Sequence, residues 1–378
     1  MYDSSVTSAS RDGRCGDLAV VFDDRRRFAA IGLWDPTSPI RLRVLHHGRP
    51  LAVDRAFWAA RLRAALDVRA SLLARGDTDG LRLVNGENDG MPGLVLDAYA
   101  RTLVAKLYTA AWVPHLAVIA DVIDELLHPE ALVLRLARSF DTDALQGLEE
   151  GDALIGTPPI EPVLFRECGL VFEADVVHGQ KTGHFLDQRD NRERVAARAR
   201  GARVLDLFAS TGGFTVHAAA GGASDVTAVD LSAPTLDIAA RNIAHNAHLP
   251  SVKAMRYHPV VADAFEALRE LRRNNERFDI VVVDPPSFTP RQGTAPRALA
   301  AYARLTASAV GVLRPGGLLV QCSCSARVTA EQFHATVARA AESAGRPLHV
   351  LERTGHAVDH PVTFPEGAYL KAVFATVN

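Results

Sequence analysis

The 378-residue chain is short of several things, and each shortage removes a class of protein. Its four cysteines, Cys15, Cys168, Cys322 and Cys324, show no zinc-ligand spacing, and no disulfide framework is expected, so no metal site is expected and any special role is that of a free thiol. No apolar run approaches the roughly 20 residues of a membrane helix. Met1 to Arg14 is polar and lacks the apolar core of a secretion signal, so the expected location is the cytoplasm. The Gly-x-Gly-x-x-Gly fingerprint is missing, which argues against a nicotinamide dehydrogenase. Lysine is scarce, with only Lys106, Lys181, Lys253 and Lys371, so the basic charge is almost all arginine. There is no internal repeat and no low-complexity tract.

What is present fits a globular protein of two or three domains, with 48% hydrophobic and 23% charged residues. The net charge of −2 does not by itself announce a nucleic-acid partner. Its distribution is uneven: residues 1–75 hold 13 Arg against 8 Asp and no Glu, and the rest is acidic. A basic N-terminal module on an acidic body suits RNA binding, and it equally suits an ordinary solvated surface in an arginine-rich protein.

Three divisions are expected. Residues 1–75 contain short strand patterns, Leu18–Phe22, Phe28–Leu33 and Ile40–Leu45, separated by turn residues, then an amphipathic helix around Phe57 to Leu72; this reads as a small β-barrel plus helix. Residues 76–178 read as an α/β unit, with strands Leu81–Asn85, Gly93–Asp97, Thr102–Leu107 and Leu132–Leu136, a helix near His115–Leu127, and a hairpin of Val163–Glu167 and Leu170–Ala174. Residues 179–378 alternate strands (Val204–Phe208, Asp225–Asp230, Ala254–His258, Ile280–Asp284, Gly317–Cys322, Tyr369–Thr376) with helices, the pattern of a doubly wound α/β sheet.

Five motifs carry chemistry. Val204 to Phe214, including Asp206, Phe208, Ser210, Gly212 and Gly213, is a strand running into a small-residue turn that opens a helix, where a ligand can lie against bare backbone. A generic strand-to-helix turn looks the same. Val226 to Asp230 is a strand ending in an acid placed to accept both hydroxyls of a ribose, or to cap the next helix. Asp263 could receive an adenine amino group and is equally well placed as an N-cap. Phe278 to Phe288 ends a buried strand in Asp284-Pro285-Pro286, whose prolines fix the chain and leave carbonyls near a reacting centre. Gln321-Cys322-Ser323-Cys324-Ser325 follows a strand at the same sheet edge, which makes Cys324 a candidate nucleophile, although a small buried cysteine there is commonly inert. The run Gly179 to Arg192, with Gln180, Lys181, Gln188 and Arg189, could grip the polar end of a cofactor or simply cap a helix.

Together these motifs resemble the ribosomal RNA large-subunit methyltransferase I family. The matching segments are Gly86–Gly93, Lys181–Arg192, Asp206–Phe214, Asp230, Asp284–Phe288, Ser323-Cys324-Ser325, Asp359-His360-Pro361 and Pro365-Glu366-Gly367. The resemblance implies a PUA domain, a central α/β domain and a Rossmann-like class I methyltransferase domain. It implies S-adenosylmethionine as cofactor and 5-methylcytosine formation in 23S RNA, with Cys324 as nucleophile and Asp206, Gly212, Asp230, Asp263 and Asp284 lining the cofactor site. No His-Pro-Trp stretch opens the chain as in other members, which implies a shortened N-terminal module.

The expected site is therefore Cys324 and Asp284 for catalysis. The residues expected around the cofactor are Gln188, Arg189, Asp206, Phe208, Ser210, Gly212, Gly213, Asp230, Asp263, Asp284 and Pro285. A thiolate adding to C6 makes cytosine C5 electron-rich enough to take a methyl group, and the base must be single-stranded or flipped out. RNA is the expected partner, no membrane is, and a homodimer is allowed. Three rivals remain: methylation of a guanine or other ring nitrogen without a cysteine, a non-catalytic RNA-binding assembly factor, and a small-molecule methyltransferase.

Overall fold

In the computed structural model, Leu18–Phe22 (β1), Phe28–Trp34 (β2) and Leu42–His47 (β3) pair in sequence order as a three-stranded antiparallel sheet. The structure describes residues 1–137, 142–179, 182–288 and 295–378. Asp54 caps the next helix, accepting from Phe57 N; that helix is Arg55–Val68 (α1), followed by Ala70–Ala74 (α2). Gly80–Asn85 (β4), Leu94–Tyr99 (β5), Thr102–Leu107 (β6), Ala131–Leu136 (β7) and Ala153–Ile155 (β8) form a five-stranded sheet in that order. Only β6 and β7 run parallel, and Leu116–Leu127 (α3) is the crossover between them. Val163–Glu167 (β9) and Leu170–Ala174 (β10) are the predicted hairpin, turned at Cys168 and Gly169, both with positive φ.

The chain divides into two units. The first comprises Met1–Glu167, Glu173–Leu186 and Val358–Pro361. Its core joins Leu33 and Leu45 to Trp58 and Leu62 of α1 and to Leu96, Trp112 and Ile123. Arg69, fully buried, ties two of the family segments together within this unit. It holds the Asp89 carboxylate with both terminal nitrogens at 2.8 and 2.7 Å and donates to the Asp359 carbonyl at 2.8 Å. The Asp359 carboxylate in turn accepts from Arg82 N, and Asn85 donates to the Pro361 carbonyl. The Gly-rich turn and the Asp-His-Pro segment thus serve a buried ion pair in this unit.

The second unit comprises Cys168–Phe172, Asp187–Ala357 and Val362–Asn378. Its elements are Arg189–Ala196 (α4), Arg203–Leu207 (β11), Gly213–Ala220 (α5), Asp225–Asp230 (β12), Ala233–His245 (α6), Pro250–Ala254 (α7), Arg256–Val261 (β13) and Ala264–Arg273 (α8). Phe278–Val283 (β14), Ala295–Val310 (α9), Leu313–Ser323 (β15), Ala330–Ser343 (α10), Leu348–Thr354 (β16) and Lys371–Val377 (β17) complete it. The strands form one sheet in the order β13-β12-β11-β14-β15-β17-β16, parallel except for β17. The order reverses at β11, the switch point where such sheets bind ligands beyond their carboxyl ends. Alternate residues serve two cores. Leu205, Leu207, Val281, Val283 and Leu319 pack with α8, α9 and α10, while Val204, Ile280, Val282, Val320 and Cys322 pack with α4 and α5.

Two expectations fail locally. Ala254 ends the short helix α7, opened by Pro250, so its strand starts at Arg256. Two edge strands have no counterpart among the expected ones: β8, only three residues long, and β16, with no clean alternation of buried and exposed residues. Among the described residues, no helix is long and apolar enough to cross a membrane.

Candidate active site

Strand β11 stops at Leu207, one residue before the predicted end, because Phe208 already turns. Phe208 has φ 64°, Ser210 φ 49° and Gly212 φ 80°. Two non-glycine residues in the left-handed region within three positions are a costly backbone, and such strain persists only where surrounding bonds hold it. Here they are visible: Ala209 N donates to the Val229 carbonyl, and Ser210 N donates to Asp230 Oδ2 at 2.9 Å. Gly212 is required sterically, since a Cβ there would lie 2.7 Å from Ala239 Cβ on α6. At Gly213 a Cβ would meet the Arg192 guanidinium at 2.8 Å. At Gly212 the missing Cβ thus makes room for Ala239, and at Gly213 for the end of the Arg192 side chain.

Asp230 is the acid at the end of β12, and its carboxylate bridges two loops. Besides Ser210 N it accepts from Ser232 N at 2.9 Å through Oδ1. The cap of α6 is Ser232, not Asp230. Asp263 takes the alternative left open for it: its Oδ1 accepts from Phe265 N and Glu266 N, the N-cap of α8. Asp206, buried on β11, accepts from Thr215 Oγ1 at 2.7 Å. Burial pushes its carboxyl up to about 7, against the Thr215 bond and with the negative charges of Asp284 and Asp230 adding to the rise.

Asp284 follows β14, and its Oδ1 accepts from Gln188 Nε2 at 2.9 Å. Gln188 is itself buried and accepts from Asn191 Nδ2 at 2.7 Å; Asn191 Oδ1 accepts from Thr354 Oγ1 at 2.6 Å. One donor of the amide expected to grip a cofactor is therefore engaged by the carboxylate. Arg189, buried at the start of α4, sets its Nε 3.4 Å from Asp190 Oδ1. Gln180 and Lys181 lie outside the described residues.

The two cysteines separate. Cys322 lies on β15, fully buried in the core under α4 and α5, and burial pushes its thiol well above the ordinary value. The strand ends at Ser323, and Cys324 leaves it half-buried with Sγ 3.8 Å from the Pro285 carbonyl. The serines on either side are pinned by Tyr302 of α9: its hydroxyl lies 2.8 Å from both Ser323 Oγ and Ser325 Oγ. Lys371 donates to the Ser325 carbonyl at 2.7 Å. Tyr302, Thr354 and Lys371 gave no signal in the sequence, because each acts across the sheet from a residue distant along the chain.

The acids and the thiol thus stand at the carboxyl ends of four adjacent strands, β12 (Asp230), β11 (Asp206), β14 (Asp284) and β15 (Cys324). Asp263 and Arg189 make their described bonds locally, apart from that row.

Comparison with known proteins agrees with this architecture. Residues 146–375 match the family model of S-adenosylmethionine-dependent methyltransferases, and residues 1–47 match a PUA-like domain. A ribosomal RNA large subunit methyltransferase of Deinococcus radiodurans is 49% identical, the match covering 100% of this chain and 93% of that one. Ribosomal RNA large subunit methyltransferase I of Alteromonas mediterranea is 35% identical, over 100% and 94%. Among solved structures, the candidate methyltransferase SMU.776, complexed with SAH, superposes with a TM-score of 0.84 at 21% identity, over 100% of this chain and 95% of that one. The chain therefore belongs to the ribosomal RNA large-subunit methyltransferase I family, S-adenosylmethionine-dependent enzymes that carry a PUA-like N-terminal domain.

Proposed function

We propose that this rRNA methyltransferase acts on cytosine C5 in 23S RNA through a covalent adduct on Cys324. The observation that carries the reading is the position of that thiol. Cys324 leaves β15 beside the Asp284-Pro285 loop, whereas Cys322 is walled into the core. A nitrogen acceptor needs no thiol at that place; a carbon acceptor does.

The residues present suit the cofactor. S-adenosylmethionine carries two ribose hydroxyls and an ammonium, which call for acceptors, and a sulfonium, whose charge favours nearby anions; three carboxylates line this sheet edge. In this reading Asp230 takes the ribose, and Phe208, Ser210, Gly212 and Gly213 form the turn beside it. Asp263 faces the adenine side through its remaining acceptor capacity. Asp206 and Asp284 face the cationic end, with Pro285 beside them, Arg189 fixing the start of α4 and Gln188 acting through Asp284. When bound, the cofactor supplies the methyl group that C5 accepts. Cys324 Sγ bonds to C6, and Asp284 in its protonated form donates to N3, where negative charge develops. The C5 proton is then lost, the C6–S bond breaks, and the thiolate is restored. The chain is read as a PUA-like module over 1–75, a central α/β domain over 76–178 and the methyltransferase domain over 179–378.

The test is mass mapping of modified nucleosides in 23S RNA from cells with and without the gene. Loss of one 5-methylcytosine supports the assignment. Loss of an N-methylated guanine instead would move the reading to nitrogen chemistry.

A further inference from the structure

Lys371 is one of only four lysines in the chain, and it is buried. It opens β17 directly opposite Ser323 in the antiparallel register with β15. Its Nζ donates to the carbonyl oxygens of Ser325 and Val328, at 2.7 Å each. Those two carbonyls lie on the turn that carries Cys324 out of the strand. Among the described residues no carboxylate pairs with this ammonium. A buried cation held only by neutral carbonyls is poorly compensated. An ammonium has three donors, and two are used.

The charged and titratable groups facing this place come from every side. Asp284, after β14, adds negative charge that raises Tyr302 and Cys322. Tyr302 of α9 is pushed up to about 12, chiefly by burial, so it stays neutral. His334 of α10 is held below its usual value, first by burial and then by Arg353, so it too is uncharged near neutrality. Cys322 is protonated. Lys371 itself is pulled down to about 8 by burial, and the one charge working to restore it is that of Cys324. The ammonium and the Cys324 thiol are electrostatically coupled.

We propose that Lys371 is a positioning residue for the nucleophile: it ties down the Ser323-Cys324-Ser325 turn and supplies the positive charge that favours Cys324 as thiolate. The proposal rests on the reading of Cys324 as the nucleophile. It requires the thiol to ionise less readily when the charge is removed, and not when it is kept.

The experiment is iodoacetamide labelling of the full-length protein across roughly pH 6 to 10, with Cys324 followed by peptide mapping. Wild type, Lys371→Met and Lys371→Arg are compared, and cofactor binding serves as the check on folding. In Lys371→Met the midpoint for Cys324 should rise by about one pH unit or more. In Lys371→Arg it should stay near that of wild type. Methyl transfer by Lys371→Met should lose kcat with little change in KM for RNA, and the loss should shrink as pH is raised. An unshifted midpoint in folded Lys371→Met overturns the proposal. Should that variant fail to bind cofactor, wild type decides: a Cys324 midpoint below the ordinary thiol value of about 8.5 supports the proposal, and one at or above it overturns it. The two readings fail separately. An active Cys324→Ala enzyme sinks the nucleophile and leaves the labelling shift standing, whereas an unshifted midpoint sinks Lys371 alone.

Discussion

Gln188 donates from Nε2 to Asp284 Oδ1 at 2.9 Å, so a buried amide sets the orientation of a carboxylate at the sheet edge. Asn191 and Thr354 hold that amide in turn. Gln188→Ala should therefore lower kcat for methyl transfer by roughly 10- to 100-fold, the scale of a misplaced reacting group. Cofactor affinity should fall by less, since Asp284 keeps its charge at the cofactor's cationic end. A loss of cofactor affinity with kcat intact would return Gln188 to the cofactor-gripping role its sequence position suggests.

Asp230 serves two purposes, and its replacement should show both. Its carboxylate fixes Ser210 in the left-handed turn and is the proposed partner of the ribose. Asp230→Ala should weaken cofactor binding by about 2–4 kcal/mol, the range for a charge-assisted hydrogen-bond pair. Calorimetry measures the loss, and circular dichroism shows whether the fold is kept. Unchanged affinity in a folded variant would remove Asp230 from the site.

Asp206 gives the site a pH dependence whose sign follows from its cause. Burial raises this carboxyl to about 7, so it is largely protonated below that pH. A cationic ligand favours the ionised form, and binding must release a proton. Cofactor affinity should rise as pH increases through about 7 and level off above it. Calorimetry in buffers of different ionisation enthalpy reads the proton directly. Asp206→Asn should abolish the dependence, and a pH-independent wild type would contradict it.

Much of this site was legible in the sequence because strand-end motifs are local. Asp225–Asp230 has the bounds expected of it, and the row of Asp206, Asp230, Asp284 and Cys324 follows from strand order alone. The conformation of the turn was not legible: nothing in the letters Phe208 and Ser210 announces a positive φ, which is imposed from Asp230 and Val229. Lys371 and Tyr302 were missed for the same reason, since their partners lie 46 and 23 residues away. The sequence offers a ligand's approach as the reason for the glycines, and the structure adds a packing reason. Ala239 and Arg192 occupy the space their missing Cβ atoms leave.

The N-terminal arginines are testable without truncation. Leu33, Leu45, Trp58 and Leu62 share a core with Leu96, Trp112 and Ile123, so deleting residues 1–75 would strip that core. Arg25, Arg26 and Arg27 instead lie exposed at the turn between β1 and β2. Replacing all three with Ala should weaken RNA binding and flatten its salt dependence, the slope falling by roughly 0.7 to 0.9 for each phosphate no longer neutralised. Cofactor affinity should be unaltered. RNA affinity that is also unaltered at fixed salt would leave the basic turn without an RNA role.

The central claim is that Cys324, and not Cys322, forms a bond to the base. Substrate RNA containing 5-fluorocytosine at the target position provides the most direct measurement, because fluorine at C5 blocks the final proton loss and leaves the adduct in place. Incubated with cofactor, wild type and Cys322→Ala should both form a covalent protein–RNA complex that survives denaturation, with the adduct mapped by peptide mass to Cys324, and Cys324→Ala should form none. A Cys324→Ala enzyme that still methylates unmodified RNA, or a wild-type adduct on any other residue, would contradict the account.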